Sequence, residues 1–118
     1  MSPSSSQASL DPQSGDSALQ RGNVYINEVQ ILILESWPAQ VKLQVNGDLP
    51  TPCNQLRAVV SEPGSENRID VEIYSLVDPA LSCIQVLEPF DVTLSLGSFT
   101  EGHFTVWING EQKAYFAL

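Results

Sequence analysis

From Asn23 onward, apolar residues recur at every second position in short runs separated by Pro, Gly, Asn and Asp. In RIDVEIYSLV, residues 68–77, Ile69, Val71, Ile73 and Val77 fall on one side while Arg68, Asp70, Glu72 and Tyr74 fall on the other. That two-residue period is the mark of a strand with one buried face. Val41, Leu43 and Val45 repeat it, as do Phe90, Val92, Leu94 and Leu96, and then Phe104, Val106 and Ile108. No stretch carries a helical stripe. The pattern predicts seven strands, near 24–34, 40–46, 54–61, 68–77, 84–96 with an interruption at Pro89, 103–109 and 112–118. Short strands spaced by turn residues predict an all-β fold, a seven-stranded immunoglobulin-like Greek-key sandwich over residues 23–118.

Two places break the simple alternation. Val24 and Ile26 lie on one phase of the first strand, but Val29, Ile31 and Ile33 lie on the other. A bulge or bend near Asn27 and Glu28 would restore one apolar face, and such a bend lets a strand pass between the two sheets. In the last hairpin, a two-residue turn at Asn109 and Gly110 would set Val106 opposite Lys113, whereas a three-residue loop keeps Ala114 and Phe116 inward. The parity therefore predicts a three-residue loop with Gly110 left-handed, leaving His103, Thr105 and Trp107 outward beside Glu111, Lys113 and Tyr115. Residues 1–22 have neither aromatic residues nor apolar periodicity, and their Ser, Gln, Pro and Gly content predicts a disordered leader or linker.

Charge narrows the partners. Across 118 residues, 14 acidic side chains face five basic ones, a formal net charge of −9. Nucleic acid and anionic membranes require Lys/Arg patches, so neither is expected as a partner. No apolar run has the length of a bilayer span or a signal-peptide core, so a chain without a transmembrane segment or signal peptide is expected.

The cysteines are Cys53, in DLPTPCNQLRAVV, and Cys83, in DPALSCIQV. Each follows a proline-containing turn and precedes an apolar run. Two such cysteines read either as a disulfide between loops at one end of the sandwich or as two reduced thiols of a cytosolic protein, and the even count and matched settings favour the bridge. Closing a loop of about 30 residues would contribute roughly 3–4 kcal/mol, a large share of the stability of one small domain. A disulfide implies an extracytoplasmic location.

The runs VQILILESWPAQVKLQVNGDLPTPCNQL and ALSCIQVLEPFDVTLSLGSFTEGHFTVWINGE resemble small uncharacterised bacterial secreted or lipoprotein domains of immunoglobulin-like type, over most of residues 24–118. The resemblance implies that Cys53 and Cys83 pair. It brings no activity. LGSFTEGHFTV also resembles the tyrosine corner of Greek-key sandwiches, with Leu96, Gly102 and Phe104 in the matching places. Phe104 stands where tyrosine is usual, so packing must hold that corner without the hydroxyl's hydrogen bond.

Candidate chemistry is sparse. His103 is the lone histidine, with no nucleophile-elbow sequence to serve, and an ordinary surface histidine is expected. Glu62, Glu66 and Asp70 read as a solvated acidic edge that discourages edge pairing. Neither DPQSGDS nor EPGSENRID has the ligand spacing of an EF-hand loop, and two cysteines with one histidine do not make a zinc site. Phosphate-cradling glycine motifs are absent. No metal, cofactor or catalytic residue is therefore expected. Trp107, Tyr115 and His103 on adjacent outward strands could form a platform for a protein or a sugar ring, although cross-strand pairing alone also accounts for them. Trp37, in ESWPAQ, is expected to pack over one end of the core.

These readings converge on a non-catalytic extracytoplasmic interaction or structural module, a monomer or a weak dimer through edge strands. The alternative is a protein inhibitor of a hydrolase, such as a protease or lysozyme, that presents disulfide-braced loops.

Overall fold

A computed structural model describes residues 10–118. Eight strands among them form two packed sheets: β1 (Gln20–Gly22), β2 (Tyr25–Leu34), β3 (Ala39–Leu49), β4 (Gln55–Val60), β5 (Arg68–Val77), β6 (Glu88–Phe99), β7 (His103–Ile108) and β8 (Glu111–Ala117). One sheet has the order β2–β3–β6. In the other, β5 is central: β4 pairs along one edge, while β7 and β1 share the opposite edge at Arg68–Val71 and Ser75–Val77. β8 pairs with β7. The sheets stack with β2 over β8 and β6 over β4. β2 and β8 are edge strands, as are β4 and β6.

The alternation read from the sequence points inward as expected. Val41, Leu43, Val45 and Leu94 are fully buried, as are Ile69 and Val106 across the layer. Each such aliphatic side chain stabilises the fold by about 1.5–3 kcal/mol relative to exposure. Phe99, Phe104 and Phe116 cluster at the corner, with ring centroids 4.6–5.6 Å apart. Their rings pack on one another where β6 turns into β7 and β8 ends.

Several expectations are corrected. The eighth strand, β1, lies in the stretch expected to be a leader: residues 14–18 form a 3-10 turn and Gln20–Gly22 pair with β5. The part of that leader at residues 1–9 lies outside the described residues. The immunoglobulin-like arrangement calls for antiparallel sheets, whereas β5 and β7 are parallel. β2 does carry the bulge at Asn27, where the register shifts between Ile26 and Glu28. Yet the chain changes sheets earlier, at Asn23 and Val24, between β1 and β2. The bulge has another consequence on β3. A Cβ on Gly47 would lie 1.9 Å from the Tyr25 carbonyl oxygen, so only glycine fits there.

The last hairpin also differs. Ile108 pairs with Glu111 across a two-residue Asn109–Gly110 turn, with both residues at positive φ, 52° and 88°. That is the primed turn whose twist suits a hairpin and which Asn-Gly favours. Parity is restored one step later: Trp107 pairs with Gln112 but Val106 with Ala114, so Lys113 is the extra residue of a bulge. Ala114 and Phe116 still face inward. Residues 84–87, expected to open the strand near 84–96, belong to no strand, because β3 ends at Leu49 opposite Glu88 and leaves nothing to pair with. Trp37 covers no core; it sits 80% exposed in the β2–β3 turn.

Candidate binding surface

Alternation decides which side chains reach the outer face of the five-stranded sheet. β5 turns Arg68, Asp70, Glu72, Tyr74 and Leu76 outward, β4 turns out Gln55, Arg57 and Val59, and β7 turns out His103, Thr105 and Trp107. All three arginines of the chain meet on this face. The Arg68 guanidinium lies 3.9 Å from the centroid of the Trp107 ring and its Nε donates to Asp70 at 3.0 Å. Arg21, from β1, lies 3.9 Å over the Tyr74 ring and forms an ion pair with Glu72. A guanidinium above an aromatic face is attracted by the ring quadrupole, by about 0.5–1 kcal/mol where exposed.

The sequence-predicted aromatic site is brought together on β7 and β8. Tyr115 sits opposite Thr105, between the rows of His103 and Trp107. Tyr115 is 70% exposed, and His103 is also exposed. Trp107 is half-buried: one ring face is taken by Arg68, and the indole N–H donates to Thr105 Oγ1 at 3.1 Å. The free aromatic surface therefore belongs mainly to Tyr115.

Arg57 was not legible as a site residue. It points outward yet is 4% exposed, because the N-terminal strap, residues 10–22, runs over it. Its Nε and Nη2 donate to the two carboxylate oxygens of Asp16, each at 3.1 Å. Its remaining contacts come from its own strand, Nη1 to the Leu56 carbonyl at 2.9 Å and Nη2 to Gln55 Oε1 at 3.1 Å. The bonds from Arg57, followed by the Gln13 backbone N–H, hold the Asp16 carboxyl below its ordinary value. Such charge-assisted, two-point pairing gives both strength and orientation. No local pattern in LRAVV distinguishes this arginine; its partner is 41 residues away in a stretch without periodicity.

Cys53 and Cys83 form a disulfide with Cα atoms 6.2 Å apart, joining the β3–β4 and β5–β6 loops. Beneath it runs a buried polar chain. The Cys53 N–H donates to Thr51 Oγ1, Thr51 donates to Asn54 Oδ1, Asn54 Nδ2 donates to Ser75 Oγ, and Ser75 donates to the Asn23 carbonyl. With every link hydrogen-bonded, burial of these groups is tolerated. The bridge pins a loop that leaves Leu81, Ile84, Val86 and Leu87 exposed. A shallow groove of about 390 Å³ beside it is lined by Tyr25, Thr51, Asn54 and Leu81, among others. Among the described residues, no three His, Cys, Asp or Glu side chains are grouped so as to hold a metal ion.

A two-layer β-sandwich braced by a disulfide between loops is the class these features define. Residues 43–118 match the ORF11 β-sandwich domain family, and the chain belongs to it. An uncharacterized 10.2 kDa protein in the HgiCIIM 5′ region of Herpetosiphon aurantiacus is 27% identical over 90 residues, covering 75% of this chain and 95% of that protein. No solved structure matches the chain.

Proposed function

We propose that this sandwich, an immunoglobulin-like frame altered by the parallel β5–β7 pair, is a non-catalytic extracytoplasmic module that binds a protein partner through the outer face of β7 and β8. The observation that carries this reading is the exposed Tyr115 ring beside the Arg68–Trp107 stack, on the part of the sheet face that the strap over Arg57 leaves open. Tyrosine, tryptophan and arginine dominate binding energy at interfaces because they offer large contact area with few rotamers to freeze. Here Arg68 and Trp107 restrain each other, which lowers the entropy lost on binding. The disulfide is what supports the extracytoplasmic location. The test is affinity capture from an envelope extract with wild type, Tyr115→Ala and Trp107→Ala. A partner recovered by wild type and lost with Tyr115→Ala supports the reading, and equal recovery by all three removes this face.

The disulfide-braced loop favours a second reading, inhibition of a hydrolase. Residues 84–87 belong to no strand, expose Ile84, Val86 and Leu87 and are anchored at Cys83, and a braced loop forfeits little entropy when an active-site cleft orders it. Micromolar protein that fails to slow a panel of proteases and lysozymes would set this aside.

A further inference from the structure

The strap is held to the body almost entirely by polar contacts. None of its residues is fully buried, and only Leu10 packs against the core. Three residues of β1 pair with Val77–Ser75, and Asp16 reaches Arg57. The seat, by contrast, is built by the body alone. Leu56 and Gln55 on β4 fix the Arg57 guanidinium so that its Nε/Nη2 edge faces outward, ready for one carboxylate. Beyond Asn109, β5 leaves the edge at Ser75–Val77 free for a strand to add, because β7 has ended. Arg57 is buried only where a strap lies over it, and burying its charge without a carboxylate would be costly, so a segment that covers the seat must bring one.

We propose that this seat is an exchangeable docking site for an acidic, strand-forming segment, that residues 10–22 fill it in cis, and that a second copy's strap fills it in trans. The recognition demands a carboxylate four residues ahead of a short strand that pairs antiparallel to β5, a form of strand addition. The strap meets both demands, and Asn23 and Val24, the crossing between the sheets, provide the hinge through which it is exchanged. This site lies apart from the Tyr115 surface and does not depend on its function.

The test uses the full chain with a fluorescent peptide of residues 10–24, read by anisotropy. The expected result is saturable binding to wild type. Binding should be at least tenfold tighter to Asp16→Asn full chain, whose own strap is loosened, and at least tenfold weaker when the peptide carries that substitution. Placing the change in the peptide leaves the fold of the protein untouched. Equal binding of both peptides, or no gain with the variant chain, would overturn the docking site. Exchange between copies is then read by energy transfer after mixing donor- and acceptor-labelled full chains, with excess peptide abolishing the signal. Peptide binding without transfer would overturn the second copy as the partner.

Discussion

Replacing Asn109 with glycine removes a bridge that neither strand can make. β7 leaves β5 after Val71 and β1 joins it only at Ser75, so the Ile73 backbone would have no neighbour on that edge. The Asn109 side chain stands in for a strand: Ile73 N–H donates to its Oδ1, and its Nδ2 donates to the Ile73 carbonyl, both at 2.9 Å. The Asn109 backbone N–H continues the line by donating to the Val71 carbonyl at 2.9 Å. Glycine adopts the 52° φ freely, so Asn109→Gly deletes two side-chain hydrogen bonds without disturbing the turn. At about 0.5–1.5 kcal/mol net for each bond, the loss is about 1–3 kcal/mol. Asn109→Ala adds the left-handed penalty of about 1–2 kcal/mol. The difference between the two variants therefore separates hydrogen bonding from backbone strain. Urea denaturation with an unchanged m-value measures the totals, and the Ile73 amide should lose hydrogen-exchange protection in both variants. Asn109→Gly within about 0.5 kcal/mol of wild type, with Ile73 still protected, would refute the reasoning.

Reducing the Cys53–Cys83 bridge, or replacing both cysteines with serine, should lower stability by about 3 kcal/mol and open residues 79–87 to limited proteolysis; an unchanged cleavage rate would show that the loop is held by other contacts. Gly47→Ala forces a methyl into the Tyr25 carbonyl and should cost at least about 3 kcal/mol, seen as a thermal midpoint lowered by many degrees or as failure to fold. Asp16 has its folded pKa depressed below the ordinary 3.8, so its contribution is fully present above 3.8 and lost as pH falls through the lower folded value. Amide resonances of residues 14–22 followed against pH should shift in that acid window in wild type but not in Asp16→Asn, and identical titrations would separate Asp16 from strap docking.

Much of the architecture was legible because it is local. The period of two in residues 68–77 places Ile69, Val71 and Ile73 in the core whatever the strand pairs with, and a parity break at Asn27 demands a bulge in any sheet. The hairpin shows how local signals compete. The parity of Ala114 and Phe116 argued for a longer loop, but the Asn-Gly preference for a primed turn prevailed, and a bulge at Lys113 satisfied both. Of the site, the outward row of His103, Trp107 and Tyr115 could be read from alternation; the Arg68 stack over Trp107 could not, since it depends on β5 lying parallel beside β7.

What the chain alone determined is the strand-only body, its inward side chains and two cysteines set to meet, because each follows from neighbouring residues or from a count. Tertiary structure decided the rest. Ile84, Val86 and Leu87 have strand chemistry but no partner edge, and stay exposed. Residues 14–22 have linker chemistry, yet Arg57 and the free edge of β5 order them. Strand formation and charge burial are completed only by groups distant in sequence, so the same composition is a coil or a strand according to what the fold brings beside it.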